Sequence, residues 1–139
     1  MEVVLDRRTR NRILARLKRD AERIARHFDL TYQAIEAERS NVKSRFGICY
    51  ADGLIKIRLR HAVTARPLKY SSLVDTLCHE LAHLRHFNHG QQFQRFYREL
   101  LAYARAQGIY RPGRSRSVGG KSEPRSETPR AKPVQLSLF

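Results

Sequence analysis

The stretch His79-Glu80-Leu81-Ala82-His83 (HELAH) decides how this chain is read. Leu73, Val74, Leu77, Leu81 and Leu84 recur around it at intervals of three and four, the apolar stripe of a helix pinned to a core. The spacing predicts a helix over about residues 71–86, with Ser71 or Ser72 as its cap. Residues four apart on a helix share a face, with Cβ atoms about 5–6 Å apart. His79 and His83 can therefore grip one metal ion from the same side. Zinc takes imidazole nitrogen at about 2.0–2.1 Å, and a catalytic zinc has three protein ligands with one position left open. Glu80, next to the first histidine, is placed to serve as general base toward a water at that position. The third ligand has to come from elsewhere, and His86, His89 and Glu99 are the candidates. His86 requires the helix to run undistorted through it. A chance pair of histidines on an amphipathic helix is the competing reading, and the fixed apolar side weakens it.

Downstream stands Asn88-His89-Gly90-Gln91-Gln92-Phe93. HELAH followed by HGQQF resembles the SprT-like zinc metallopeptidases, the group that includes the Spartan proteases of DNA–protein crosslink repair. The order HExxH, then NHG, then an aromatic looks most like the small bacterial YgjP-type members. Ser44-Arg45-Phe46-Gly47-Ile48-Cys49 resembles their SRWGSC segment, with Phe46 in place of Trp and Ile48 in place of Ser. The likeness covers about residues 40–100 and is strongest over 79–93. It implies a zincin-like fold, one zinc held by His79, His83 and His89, and amide hydrolysis with Glu80 as catalytic base. It also places His89, not His86 or Glu99, in the third-ligand position. The interval from His83 to His89 equals that of the metzincins, but those need Gly where His86 stands and a Met-turn, and Met1 is the only methionine. The turn that returns His89 to the site is expected to use Asn88 and Gly90, both tolerant of positive φ.

Charge points to a polyanionic partner. Twenty-eight Lys and Arg against 13 Asp and Glu leave a net charge of +15 over 139 residues, which favours nucleic acid ahead of an anionic membrane surface. Two cysteines, Cys49 and Cys78, make neither a disulfide framework nor a zinc ribbon, and fit a reducing cytoplasm close to the nucleoid. No apolar run is long enough to span a membrane, and no signal-peptide pattern opens the chain.

Around the metal motif the chain reads as α+β. Ile13, Leu14, Leu17, Ala21, Ile24, Ala25 and Phe28 predict a helix over 6–28. Its other face carries Arg12, Arg16, Arg19 and Arg23, candidate contacts to DNA phosphates. A strand is expected over 32–37. Asp52-Gly53 between the β-rich runs 44–50 and 54–60 signals a hairpin, with Ile55, Ile57 and Leu59 facing the core. An exposed strand edge beside a metal suits an extended peptide substrate. Tyr70, His61 and Arg60 are weaker candidates for stabilising an oxyanion. A last helix over 91–107 buries Phe93, Phe96, Tyr97, Leu100, Leu101 and Ala104, with Gly108 as its stop.

These elements make a zincin-like domain over residues 1–110. From Arg111 the composition turns to Arg, Ser, Gly, Pro and Lys, which predicts a disordered basic linker over 111–134, with Arg114 and Arg116 as further DNA contacts. The chain then ends Gln135-Leu136-Ser137-Leu138-Phe139. QLSLF resembles the short peptide by which bacterial replication and repair proteins bind the sliding clamp. The leading expectation is a zinc protease that acts on DNA-bound or DNA-crosslinked proteins and is recruited by the clamp. The alternatives are a YgjP-type metal-dependent hydrolase of a non-protein substrate such as a nucleotide, and a non-enzymatic adaptor with structural zinc. Glu80 argues against the last, since a structural site needs no base.

Overall fold

A computed structural model of the chain describes residues 6–39 and 41–113. The order of elements is α1 (Arg7–Phe28), β1 (Ala34–Ala37), β2 (Gly47–Cys49), β3 (Leu54–Ile57), α2 (Tyr70–His83) and α3 (Gln91–Ala106). This is the expected small α+β domain, three helices on a three-stranded sheet. The linker from Arg114 onward and the terminal pentapeptide lie outside the described residues.

Asp6 starts α1 by accepting the amide of Thr9 at 2.7 Å, and Asp29 ends it in the left-handed conformation at φ 57°. Leu17, Ala21, Ile24 and Ala25 are its buried stripe, while Arg12, Arg16, Arg19 and Arg23 are exposed as their positions predict. Strand β3 is central. It pairs in parallel with β1 and antiparallel with β2, in register Ile35↔Ile55 and Cys49↔Ile55. Ile55, Ile57 and Leu59 all face the core. The hairpin turns at Gly53, whose φ of 94° and whose approach to the Gln33 backbone both exclude a side chain.

Helix α2 lies in the middle of the domain, packed against β2, β3, α1 and α3. Two expectations about it need correction. Neither Ser71 nor Ser72 caps it: the N-cap is Lys69, in extended backbone, with no side-chain bond to the helix. The helix also stops at His83 and does not run to 86. The amides of Leu84 and Arg85 bond to the carbonyls of Leu81 and Ala82, three residues back, and the His86 amide also bonds to Ala82, so the turn after His83 is tightened.

The connection from β1 to β2 is held by charge. Arg45 grips the Glu38 carboxylate through Nη2 at 2.8 Å and Nε at 3.1 Å, and the Glu38 side chain is only 2% exposed. Arg58, from just after β3, donates to the carbonyls of Lys43 and Arg45 and stacks on Phe46. Burial lowers the pKa of its guanidinium; both carbonyl bonds are made by Nη1, and the buried Nε has no hydrogen-bond partner among the described residues. These contacts set where β2 begins, hence how closely it approaches α2. Breaking a charge pair that is largely buried leaves its partner unpaired. Glu38→Ala is therefore expected to lower unfolding free energy by about 2 kcal/mol in urea titrations at fixed zinc. Glu22→Ala, which breaks the exposed pair with Arg26, should cost about 0.5 kcal/mol or less.

Candidate metal centre

His79 and His83 leave α2 from successive turns of one face, as their spacing requires, and both are buried. His89 comes from the connection to α3. Its Nε2 lies 3.1 Å from Nε2 of His83 and 3.3 Å from Nε2 of His79. Among the described residues this is a group of His, Cys, Asp and Glu side chains able to hold a metal ion. Tetrahedral bonds of about 2.0–2.1 Å place neighbouring donors about 3.3 Å apart, so the His83–His89 and His79–His89 pairs have the spacing that zinc demands, and all three ligand atoms lie within 4.8 Å of one another. His83 Nδ1 lies 3.0 Å from the His86 carbonyl oxygen. A carbonyl only accepts, so in the neutral ring Nδ1 carries the proton and the Nε2 lone pair faces the other two histidines. The His86 carbonyl, just past the end of α2, thus orients the His83 ring.

His86 serves through its backbone, and its ring is turned to Phe96. Glu99 is exposed and outside the cluster. The turn back to His89 does not use positive φ, contrary to expectation. Among the described residues, those with positive φ are Asp29, Gly53, Ala65, Gly108 and Gly113. The side chain of Asn88 accepts the Gly90 amide at 3.0 Å instead, so a side-chain-to-backbone bond makes the turn.

Phe93, fully buried on α3, is the floor of the site. Its ring centroid lies 4.9 Å from that of His79, 4.5 Å from His83 and 5.0 Å from His89. Tyr97, one turn later, meets the His79 ring edge-on and donates its hydroxyl to Asp75, one turn before His79. Helices α2 and α3 are tied across the site by this bond. Tyr70, by contrast, donates to Asp20 at 2.6 Å under the Arg16 guanidinium, which commits it to the α1 interface. His61 is exposed, and Arg60 is half-buried in a β-bridge to Pro67.

Glu80 is 2% exposed and points toward β2. A Cβ on Gly47 would fall 3.1 Å from Glu80 Oε2 and 2.7 Å from Cγ2 of Thr76. Gly47 is thus required by a close approach of strand to helix. Cys49 shares this wall. Burial first, and then the charges of Glu80 and Asp52, push its thiol up to about 12, so it stays protonated at neutral pH. Gly47, Thr76 and the Asp75–Tyr97 pair were not predicted as site residues. The glycine inside the SRFGIC run was the available signal for the first.

A family model for the WLM domain matches residues 38–135. The chain belongs to the WLM domain family. A Wss1 mutant from Saccharomyces cerevisiae shares its fold, with a TM-score of 0.67 over 79% of this chain and 91% of that one at 14% identity. A Wss1 mutant from S. pombe is 25% identical, with a TM-score of 0.58 over 72% of this chain and 91% of that one. A second S. pombe Wss1 structure is 26% identical, with a TM-score of 0.56 over 72% and 86%. No curated protein sequence matches the chain. The SprT-like expectation is met at the level of this related, Wss1-like family. The YgjP-type likeness rests on the spelling of the motifs alone.

Single substitutions His79→Ala, His83→Ala and His89→Ala should each weaken zinc binding by more than the about 10–100-fold that loss of an outer-shell partner costs. His86→Ala and Glu99→Ala should keep it. Competition with a chromophoric chelator measures both, and full zinc retention by His89→Ala would remove that residue from the site.

Proposed function

We propose that the chain is a zinc-dependent peptidase acting on proteins bound or crosslinked to DNA, and that the sliding clamp recruits it. The observation that carries the hydrolytic reading is the convergence of three Nε2 atoms at zinc spacing with the buried Glu80 beside the first of them. His79, His83 and His89 would hold the ion. When bound, zinc supplies Lewis acidity toward a carbonyl and toward water. Glu80 takes a proton from the attacking water as its oxygen bonds to the carbonyl carbon, then passes that proton to the departing amine as the C–N bond breaks. Gly47 keeps the β2 backbone close enough to confine the Glu80 carboxylate. Strand β2 is at the edge of the sheet, next to this carboxylate, where an extended polypeptide can align.

Three observations support the choice of substrate. The WLM, Wss1-like membership implies a metalloprotease of DNA–protein crosslinks. The net charge is +15. Arg12, Arg16, Arg19 and Arg23 line the solvent face of α1, although Arg16 also stacks on Tyr70 and Arg23 bonds to Gln107. Arg114 and Arg116, outside the described residues, extend the basic character along the sequence. Recruitment by the clamp rests on the sequence Gln135-Leu136-Ser137-Leu138-Phe139, also outside the described residues. Leu138 and Phe139 would fill an apolar pocket of the clamp, and Gln135 would supply hydrogen bonds.

Glu80→Gln should retain zinc and lose cleavage of a DNA-bound protein by about 100-fold or more, the scale of a general base. Gly47→Ala should also retain zinc but lose most cleavage, because its Cβ displaces Glu80. Cleavage of nucleotides with no cleavage of proteins would favour the non-protein alternative. DNA binding, followed by fluorescence anisotropy, should show little sequence preference and weaken steeply with added salt; flat salt dependence would refute the nucleic-acid contact. An isolated QLSLF peptide should bind purified bacterial clamp, and Leu138→Ala with Phe139→Ala should abolish that binding. Equal binding by the two peptides, or none by either, would end the recruitment reading.

A further inference from the structure

A cavity opens on the other side of His89. Its volume is about 440 Å³, and His89, Gly90, Gln91, Gln94, Arg95 and Arg98 line it. That is within the range of about 300–1,000 Å³ found for ligand pockets. One wall is the metal centre itself, because His89 belongs to both. The other is a single face of α3, where residues 91, 94, 95 and 98 fall at intervals of three and four. Arg95 and Arg98 are exposed, and neither takes part in the ion pairs Arg26–Glu22 and Arg45–Glu38 of the described residues. The first turn of α3 holds no acidic residue to offset them. The cavity is therefore roomy, carries two guanidinium groups against the single carboxylate of Glu99 one turn after Arg95, and shares His89 with the metal centre.

We propose that this cavity is a specificity subsite for the carboxylate of an Asp or Glu side chain in the substrate polypeptide, close to the scissile bond. The proposal rests on the peptidase reading above. Guanidinium groups hold carboxylates through paired, charge-assisted hydrogen bonds. Gln91 brings an amide group suited to the substrate backbone, while the Gln94 amide donates to the His89 carbonyl at 3.4 Å. An extended chain advances about 3.3–3.6 Å per residue, so a side chain one or two residues from a carbonyl at the metal centre has the reach to pass His89. The observations favour polypeptide over nucleic acid. The cavity is concave and bounded by a metal ligand, whereas phosphate backbones are followed along open basic faces such as that of α1.

The test uses the full chain as Glu80→Gln, loaded with zinc. Fluorescent octapeptides of alanine and serine, blocked at both ends, carry one Glu, Gln or Lys at each position in turn. Anisotropy should show a position at which Glu binds about tenfold more tightly than Gln, the worth of a charge-assisted bond, and Lys more weakly than Gln. Arg95→Gln with Arg98→Gln should erase the Glu–Gln difference with zinc content unchanged, and Arg95→Glu with Arg98→Glu should invert the order. Equal binding of Glu and Gln peptides at every position, or no binding of any, overturns the proposal. So does a Glu preference that survives Arg95→Gln with Arg98→Gln. Unchanged peptide discrimination with weakened binding of single-stranded DNA by that variant would make the cavity a nucleic-acid contact instead. Cleavage of the same peptides by the unsubstituted chain separates the two readings. Glu-dependent binding without cleavage keeps the subsite and removes the peptidase assignment, whereas cleavage indifferent to Glu removes the subsite alone.

Discussion

Three imidazole nitrogens within about bonding distance of one point constrain this domain more than any other feature. Two of them come almost without cost from helical periodicity. The third has to be carried back by a chain reversal between His83 and His89, and most of the surrounding structure serves that reversal. The helix tightens and stops at His83. The His86 carbonyl then orients the His83 ring. Asn88 closes the turn on Gly90, and Phe93 supports all three rings from below. Three facing basic nitrogens suit a cation, which all three lone pairs can meet at once, whereas a proton bridges only one pair at a time.

The sheet supplies the other half of the site. Zinc ligands alone do not distinguish a structural ion from a catalytic one; the second requires a base and room for a substrate. Here Glu80, the proposed base, is held between a helix and a strand edge. The Glu38–Arg45 pair and the Arg58 contacts fix the approach of that strand, and the absence of a side chain at Gly47 lets it come close. Ion pairs far from the metal thereby act on Glu80 through backbone placement. The Asp75–Tyr97 bond does the equivalent work between α2 and α3.

Charge is distributed unevenly over this frame. Basic side chains gather on the solvent face of α1 and, as Arg95 and Arg98, beside His89 on α3. A reacting centre set among apolar side chains strengthens local electrostatics. The basic surfaces raise the local concentration of anionic partners around it.

Much was legible in the sequence because it follows from local periodicity. The α1 stripe, the hairpin at Asp52-Gly53, the paired histidines of α2 and the aromatic face of α3 each depend on residues close in the chain. The HGQQF run also named His89 ahead of His86 and Glu99, though by resemblance and not by physics. What only the tertiary structure decided involves partners distant in sequence or the end of a hydrogen-bond ladder. Serine composition suggested a cap at Ser71 or Ser72, but the cap position depends on where the chain enters from the Arg60–Pro67 bridge, and that is Lys69. The stop at His83 rather than 86 goes with three-residue bonds from Leu84 and Arg85 that no residue type announces. Gly47 read as one letter in a strand; its role appears only when Thr76 and Glu80 are set against it. Periodicity acts over one turn or one pleat and is written in the sequence, whereas a contact of 3 Å between strand and helix depends on how the whole core packs.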